Sequence, residues 1–198
     1  MKFLFDLGGV FFDWDPKNFY KNIFTDENEL NFFLNEVCND AWNLKQDCGR
    51  KINDAYLELI NKFPNYEEQI KMYYSNHRKM INGIFPDSIS ILNKLKNLNY
   101  SCYVLSNWSA ETFKGMINEY PFLKIFDGMV ISGEEMLVKP DPLIYYLAIK
   151  KFNLYPSSTI FIDDKLENIL AAKNIGFNTI HLTNPDSIKS DIENFINI

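Results

Sequence analysis

The amino-acid sequence predicts an α/β protein in which a mostly parallel sheet is covered by helices on both faces and a helical insertion follows the first strand. Three observations predict this fold. Residues 2–6 have the pattern of a buried strand, residues 16–85 have helical spacing without a convincing strand, and short apolar segments alternate with helical ones after Pro86. Strands that alternate with helices at this spacing form right-handed crossovers, which produce parallel sheets.

The first strand is an apolar segment that ends in an acidic residue. Residues 2–6 have the sequence KFLFD, and Gly8 and Gly9 follow closely. An apolar run before a glycine pair is typical of a central strand that enters a tight turn. The pattern therefore places Asp6 at the carboxyl end of this strand.

The insertion has the spacing of amphipathic helices. Its apolar residues recur at intervals of three and four, for example at Ile52, Tyr56 and Leu59. We therefore expect two domains: a core domain formed by residues 1–15 and 86–198, and a helical cap domain formed by residues 16–85.

From Pro86 onward, helical and strand patterns alternate regularly. The predicted helices cover residues 88–98, 110–119, 142–152, 166–175 and 187–196, and the predicted strands cover residues 102–105, 129–131, 159–162 and 179–182. Local signals agree with two helix ends, because Asp141 is a capping carboxylate before Pro142 and Gly176 stands where a helix stop is expected. This alternation predicts a sheet with helices on both faces.

Composition excludes several classes of function. The chain has 198 residues, 46% of them hydrophobic, and a net charge of −6 with Lys and Arg scattered among acids, so we expect no nucleic-acid partner. Three widely spaced cysteines fit unpaired thiols in a reducing compartment. Acidic residues interrupt the apolar start, and no segment is long enough to span a bilayer. We therefore expect a cytoplasmic protein without membrane contacts.

Polar residues that can take part in catalysis or metal binding follow four of the predicted strands. They are Asp6, the pair Ser106 and Asn107, Lys139, and the pair Asp163 and Asp164. In open parallel sheets, functional residues collect beyond the carboxyl ends of the strands. Three carboxylates in one crevice repel one another unless a cation lies among them, and oxygen ligands favour Mg²⁺. Together with a lysine, a hydroxyl and turn amides, such a site is suited to a phosphoryl group.

Four motifs in order resemble those of the haloacid-dehalogenase-like hydrolase superfamily: FDLGGV (5–10), LSN (105–107), KPD (139–141) and FIDDKLEN (161–168). The resemblance covers nearly the whole chain and implies a Rossmann-like core with a helical cap. It also implies a magnesium-dependent phosphatase that hydrolyses a small phosphate monoester through an aspartyl-phosphate intermediate.

The resemblance further implies roles for individual residues. Asp6 would attack phosphorus, while Ser106 and the amide of Asn107 would bind the phosphoryl oxygens and Lys139 would neutralise their charge. Mg²⁺ would be held by Asp6, the carbonyl of Gly8, and Asp164 with Asp163 beside it. The remaining candidates are the turn residues Gly8 and Gly9 for phosphate binding and Asn168 for orienting the loop after Asp164.

One position departs from the family pattern. Most phosphatases of this superfamily carry a second Asp, a general acid and base, two residues after the nucleophile, where this chain has Gly8. A branch that includes α-D-glucose-1-phosphate phosphatase also has Asp-Leu-Gly here, and the chain looks most like that branch. A sugar phosphate is therefore the expected substrate, because an anomeric oxygen leaves with little protonation. Asp13 and Asp15 are possible replacements, although loop acids of this kind usually have no catalytic role.

Weaker patterns concern the insertion and the histidines. Residues 47–50 form a loop that can reach the site from the cap, and Arg50 is a candidate ligand for a substrate oxyanion. His77 is expected on a helix surface and His181 in a strand, neither as a metal ligand.

Two other functions fit the same motifs. In a 2-haloacid dehalogenase Asp6 would attack carbon and displace halide, which needs no proton; however, the dehalogenases need no metal and lack the acidic pair at 163–164. In a weakly active homologue, the pocket would only bind a phosphate ligand. The expected assembly is a monomer or a small homo-oligomer.

Overall fold

The computed structural model describes residues 1–196, so positions 197–198 of the predicted core domain lie outside the described residues. Within residues 1–196 the chain forms seven strands: β1 (Lys2–Phe5), β2 (Phe12–Trp14), β3 (Ile81–Ile84), β4 (Ser101–Ser106), β5 (Gly128–Ile131), β6 (Thr159–Asp163) and β7 (Asn178–His181).

The same residues form twelve α-helices: α1 (Pro16–Tyr20), α2 (Glu27–Phe32), α3 (Asp40–Asp47), α4 (Ile52–Lys62), α5 (Glu67–Ser75), α6 (Pro86–Asn97), α7 (Ala110–Phe113), α8 (Met116–Glu119), α9 (Ser132–Glu135), α10 (Pro142–Phe152), α11 (Leu166–Ile175) and α12 (Ile188–Ile196). None of these helices has the length and apolar character needed to cross a membrane.

The main sheet has five parallel strands in the order β5-β4-β1-β6-β7. The first strand lies at its centre, where Phe3 pairs with Cys102 of β4 on one side and with Ile160 of β6 on the other. The predicted parallel α/β fold is therefore confirmed, and the carboxyl ends of β1, β4 and β6 lie side by side.

Both faces of the sheet are buried. Alternate residues of β1 point to opposite faces, so that Phe3 and Phe5 join one hydrophobic cluster and Leu4 joins another. The first cluster includes residues of α6 and α12, and the second includes residues of α10 and α11. Burial on both faces explains why β1 and β6 are almost wholly apolar.

Residues 16–85, called the cap segment below, contain a third hydrophobic cluster of their own. It includes Tyr20, Phe33, Trp42 and Tyr73, whose rings pack with centroids 4.8 to 6.1 Å apart. The division of the chain into a core domain and a cap domain stays a prediction.

The expectation that the insertion contains no strand is wrong. Strand β3 pairs antiparallel with β2, with Phe12 opposite Ile84 and Trp14 opposite Ile81. The short segment INGI contains Asn and Gly and is largely exposed, so it lacks the apolar pattern of a buried strand. The two connections between sheet and cap segment therefore run side by side.

The predicted helix at residues 110–119 is interrupted. It forms the short helices α7 and α8, and Gly115 between them has a φ of +93°. A left-handed backbone conformation is accessible to glycine without steric cost but cannot continue a right-handed helix. The other predicted helices and strands of the core agree with the observed ones to within about two residues.

Candidate active site

Asp6 lies where the central strand ends. Its amide donates to the carbonyl of Ile162 at 2.9 Å, and its side chain is buried. The chain then turns sharply, with the amides of Phe11 and Phe12 donating to the carbonyl of Leu7. Sheet pairing and this turn therefore hold the Asp6 carboxylate at the carboxyl edge.

Two further carboxylates lie beside Asp6. Oxygen atoms of Asp6, Asp163 and Asp164 lie within 4.8 Å of one another. Gly9, with a φ of +67°, permits this approach, because a Cβ atom there would lie 2.5 Å from Cγ of Asp164. The structure thus brings together the three acids that the strand ends predicted.

Lys139 is the positive partner of this cluster. Its Nζ lies 3.0 Å from Asp6 and 2.6 Å from Asp163, with the side chain fully buried. Burial lowers the pKa of Lys139, but attraction to Asp163 and Asp6 outweighs burial, so the pKa is raised and the amine stays charged. Asn107 fixes the lysine backbone, accepting from its amide at 2.8 Å and donating to its carbonyl at 2.9 Å.

The adjacent acids Asp163 and Asp164 differ in their hydrogen bonds. Asp163 is bound by Lys139, by the amide of Lys165 and by Nδ2 of Asn168, so both of its oxygens are occupied. By contrast, Oδ1 of Asp164 is buried and has no hydrogen-bond partner among residues 1–196. The carboxyl group of Asp163 is therefore held in place by hydrogen bonds, whereas Asp164 has an oxygen free to bind a cation.

The electrostatics of the cluster fit a divalent cation. Burial raises the pKa of Asp164 to about 7, and the charges of Asp6 and Asp163 add to this rise. The pKa of Asp6 is also raised, chiefly by burial, although Lys139 opposes the change. Mg²⁺ prefers oxygen ligands, and these three carboxyl groups supply them. A bound cation would also offset the cost of keeping the buried groups ionised. The residues present therefore fit a magnesium ion.

A cavity of about 360 Å³ opens above this cluster. Its floor belongs to the carboxyl edge of the sheet and includes Asp6, Gly8, Gly9, Asn107, Lys139, Asp164, Lys165 and Asn168. Its opposite wall belongs to the cap segment and the flanking turns and includes Trp14, Asp15, Asp40, Asn43, Leu44, Asp47, His77 and Trp108. A small molecule bound in this cavity would contact both halves. Ser106 is buried at the end of β4, next to Asn107, and its Oγ has no hydrogen-bond partner within residues 1–196.

Three aromatic side chains form much of the cap-side wall. The ring of His77 lies between those of Trp14 and Trp108, with centroids 5.9 and 5.5 Å away. Nε1 of both tryptophans and Nδ1 of His77 are buried without a hydrogen-bond partner in the described part of the chain. Burial, and to a smaller extent Arg78, lowers the pKa of His77 to about 4. The expectation that His77 lies on a helix surface is therefore wrong.

Arg50 is not brought into the cavity. Its guanidinium binds Gln46, Glu58 and the carbonyl of Trp42, and it does not line the cavity. Arg50 instead stabilises the end of α3. We therefore do not propose it again as a substrate ligand.

The two acids suggested as replacements for the missing second Asp are also occupied. Asp13 accepts from Nδ2 of Asn82 at 2.8 Å, and Asp15 caps α1 by accepting from the amide of Lys17 at 2.7 Å. His181 lies at the end of β7, as expected of a strand residue, with Nε2 3.0 Å from the carbonyl of Asp164.

Sequence reasoning missed Trp14, His77 and Trp108 as cavity residues. Trp108 follows the end of β4 by two residues, so the rule of strand ends could have indicated it. Trp14 and His77 carry no comparable signal, because their place depends on the pairing of β2 with β3 and on how the cap segment packs.

Comparison with known proteins gives a family match. The model of the family described as haloacid dehalogenase-like hydrolase matches residues 20–182. A sesquiterpene phosphatase of Aspergillus oryzae is 28% identical over 192 residues, covering 96% of this chain and 92% of that protein. A phosphoglycolate phosphatase of Pasteurella multocida is 24% identical over 72% of this chain and 61% of its own length.

The chain is also similar to a dehalogenase and to a solved structure. An (S)-2-haloacid dehalogenase of Pseudomonas is 28% identical over 50% of this chain and 43% of that protein. The structure of a family enzyme from Bacteroides thetaiotaomicron, in complex with magnesium and inorganic phosphate, superposes with a TM-score of 0.68. It is 24% identical, with 90% of this chain and 92% of that one covered.

Proposed function

Because the chain belongs to the family of haloacid dehalogenase-like hydrolases, we propose that it is a magnesium-dependent phosphatase that hydrolyses a small phosphate monoester. One observation carries the proposal: Asp6, Asp163 and Asp164 converge within 4.8 Å beside the buried amine of Lys139. Such a cluster is costly without a cation and suits the binding of a phosphoryl group.

The magnesium ligands in this proposal are Asp6, Asp164 and the carbonyl of Gly8. Asp164 is preferred to Asp163 because its Oδ1 lacks a partner within residues 1–196, whereas Asp163 is fully occupied. When bound, the ion supplies positive charge that compensates the carboxylates and the phosphoryl oxygens. The Bacteroides enzyme, which shares the fold, binds magnesium and inorganic phosphate, and this supports a magnesium-dependent function for the chain.

The protein groups then act on a bound phosphate ester. Asp6 attacks phosphorus, the alcohol departs, and water hydrolyses the resulting aspartyl-phosphate. Ser106 and the amide of Asn107 bind phosphoryl oxygens, with the turn amide at Gly8 as a further donor. The expected role of Gly9 in phosphate binding is not proposed, because its amide donates to the carbonyl of Phe12 at 3.0 Å. Lys139 neutralises developing charge from a position that Asp163 and Asn107 fix in advance, which is how preorganised electrostatics lower a barrier.

A 2-haloacid dehalogenase is the alternative, and the similarity to the Pseudomonas enzyme over half of the chain is its support. The free oxygen of Asp164 favours the phosphatase, because displacement of halide by Asp6 gives a second acid no role. The longer matches with two phosphatases point the same way.

The leaving group that we propose is a sugar or a similar neutral, hydroxyl-bearing group. The cap-side wall includes Trp14, Trp108 and Asn43. The acids in this wall, Asp40 and Asp47, disfavour an anionic leaving group. Apolar walls with a few polar groups are typical of small-molecule sites.

The test is a screen of metabolite phosphate esters with Mg²⁺, which includes glucose 1-phosphate and glucose 6-phosphate. We expect phosphate release that EDTA abolishes, and a loss on the order of a thousandfold or more in Asp6→Asn, because the nucleophile is removed. Asp54→Asn, an exposed acid of α4, is the matched control and retains activity.

Three results would contradict the proposal. Halide release from 2-haloacids in the presence of EDTA would favour the dehalogenase. Full activity of Asp6→Asn would exclude Asp6 as nucleophile. Binding of beryllofluoride without hydrolysis of any ester would identify a phosphate-binding homologue.

A further inference from the structure

The proposed reaction lacks a proton donor at the usual position. Gly8 has no side chain, and a Cβ atom added there would meet nothing within 4 Å, so that part of the cavity is open. We propose that Asp47 of the cap segment is the general acid and base of this enzyme, an inference that rests on the proposed phosphatase function.

Asp47 faces the reaction site from the opposite wall. It is the last residue of α3, it is half-buried, and it lines the same cavity as Asp6 and Gly8. A side chain on the cap-side wall is on the side from which the alcohol must leave, because Asp6 and Lys139 occupy the floor. Asp47 is therefore on the side of the cavity that receives the leaving group.

Contacts with the core hold the loop after Asp47 in place. Sγ of Cys48 lies 3.4 Å from the carbonyl of Met136, and the amide of Ile52 donates to Glu111 at 2.9 Å. Gly49 packs so closely on Met136 that a Cβ atom would lie 2.9 Å from its side chain. The cap segment thus presents Asp47 from a docked loop, as a proton-transfer group requires.

The surroundings of Asp47 support a change of ionisation near neutral pH. Burial raises the pKa of Asp47 to about 7; Lys165 and the backbone of Ser109 oppose the rise, while Asp6 and Asp40 add to it. Tyr73 and Tyr74 of α5 also face it, and both stay protonated because burial raises their pKa. Nδ2 of Asn43 donates to Oδ2 of Asp47 at 3.3 Å. A carboxyl group of this kind can both donate and accept a proton.

Other titratable groups of the cavity fit this role less well. Asp15 is engaged as the cap of α1, and Asp13 does not line the cavity. His77 is buried with a pKa of about 4, so at neutral pH it has no proton to donate as an acid. Asp40 is exposed at the start of α3.

The proton follows a closed cycle. As Asp6 attacks, the bond between phosphorus and the leaving oxygen breaks, and protonated Asp47 transfers its proton to that oxygen. Ionised Asp47 then takes a proton from the water molecule whose oxygen attacks the aspartyl-phosphate. The bond between phosphorus and Asp6 breaks, inorganic phosphate is released, and Asp47 is protonated again.

The test compares Asp47→Asn with the wild type on phenyl phosphate and para-nitrophenyl phosphate, two esters of similar shape with poor and good leaving groups. We expect kcat/KM for phenyl phosphate to fall by about a hundred- to ten-thousandfold and for the nitrophenyl ester by less than about tenfold. In the wild type, kcat/KM for phenyl phosphate declines above a pH near 7, where Asp47 ionises, and this decline disappears in Asp47→Asn.

Three further variants exclude indirect effects. Asp54→Asn removes a negative charge from an exposed position of the cap segment that does not line the cavity, and it is expected to change both esters slightly and equally. Gly8→Asp places a carboxyl group in the open part of the cavity, and Gly8→Asp/Asp47→Asn is expected to match Gly8→Asp alone on phenyl phosphate.

The proposal is overturned if Asp47→Asn keeps kcat/KM for phenyl phosphate within about threefold of the wild-type value, or lowers kcat/KM for both esters by the same factor. It is also overturned if Asp54→Asn shows the same dependence on the leaving group. Activity that survives Asp6→Asn would instead overturn the proposed function itself, so that the two failures are distinguishable.

Discussion

The two halves of the cavity differ in how completely their polar groups are paired. On the sheet side, the charged group of Lys139 and the side chains of Asp163 and Asn107 bind one another or neighbouring backbone, and the unpaired atoms are oxygens, among them Oδ1 of Asp164 and Oγ of Ser106. On the cap side, where the cap segment meets β2 and the loop after β4, nitrogen atoms of Trp14, His77 and Trp108 are buried without partners in the described chain. The charged groups of the sheet side are therefore positioned before substrate binds, whereas the cap side keeps unpaired nitrogen atoms.

This difference assigns the reaction at phosphorus to the sheet side of the cavity and the selection of the leaving group to the cap side. A preorganised charge arrangement serves the phosphoryl group, which every phosphate ester shares. Buried polar groups without partners cost free energy that a suitable ligand can recover, so they favour one leaving group over another. Substitutions on the sheet side should therefore change the free energy of unfolding and the turnover rate together. Substitutions on the cap side should change one of these quantities without the other.

The largest effect on stability is expected from Lys139→Met, measured by urea unfolding in EDTA. Removing the amine leaves the buried carboxyl groups of Asp6 and Asp163 without their positive partner, so the free energy of unfolding should fall by about 3–5 kcal/mol. Lys45→Met, which breaks an exposed cap-segment ion pair with Glu58, is the matched control and should cost less than about 1 kcal/mol. Equal losses of unfolding free energy in Lys139→Met and Lys45→Met would contradict this expectation.

A pH-dependent effect is expected from His77 on the cap side. Because burial lowers its pKa from 6.5 to about 4, the folded state holds the neutral ring and the unfolded state binds the proton first. His77 therefore contributes up to about 3 kcal/mol of stability above pH 6.5, which is lost as the pH falls towards 4.

The measurement is urea unfolding of His77→Gln and wild type between neutral and acidic pH. The decrease of stability with acid should be smaller in His77→Gln. His181→Gln, which changes the exposed histidine of β7, is the control and should keep the wild-type profile. Identical profiles for His77→Gln and wild type would show that His77 is not buried as a neutral ring.

A smaller effect, measured through metal binding, is expected from Gly9→Ala. The added Cβ atom would meet Asp164 at 2.5 Å, and alanine is strained at a φ of +67°, so Asp164 must move. The Mg²⁺ concentration needed for thermal stabilisation should rise on the order of tenfold or more. Gly8→Ala, where a Cβ atom meets nothing within 4 Å, should cause a smaller rise, and the reverse order would contradict the assignment of Asp164.

Predictions from sequence were most successful where parallel strands fix position. Neighbouring strands end at one edge of the sheet, which brings together Asp6, Lys139, Asp163 and Asp164. The end of a strand can be recognised in the sequence as an apolar run followed by a polar residue. The strand β3 was missed because INGI is short and exposed. Arg50 was misjudged because its partners Gln46 and Glu58 depend on how α3 and α4 pack.

The sequence by itself determined the alternation of strands and helices that builds the parallel sheet, the family and the set of residues at the carboxyl edge, because periodicity and motif spacing are local properties of the chain. Only the tertiary structure decided that both oxygens of Asp163 are hydrogen-bonded while Oδ1 of Asp164 has no partner within residues 1–196, that His77 lies between two tryptophans, and that Asp47 lines the same cavity as Gly8. These facts depend on side chains distant in sequence sharing one cavity, and burial and unpaired hydrogen-bonding groups exist only once that cavity has formed.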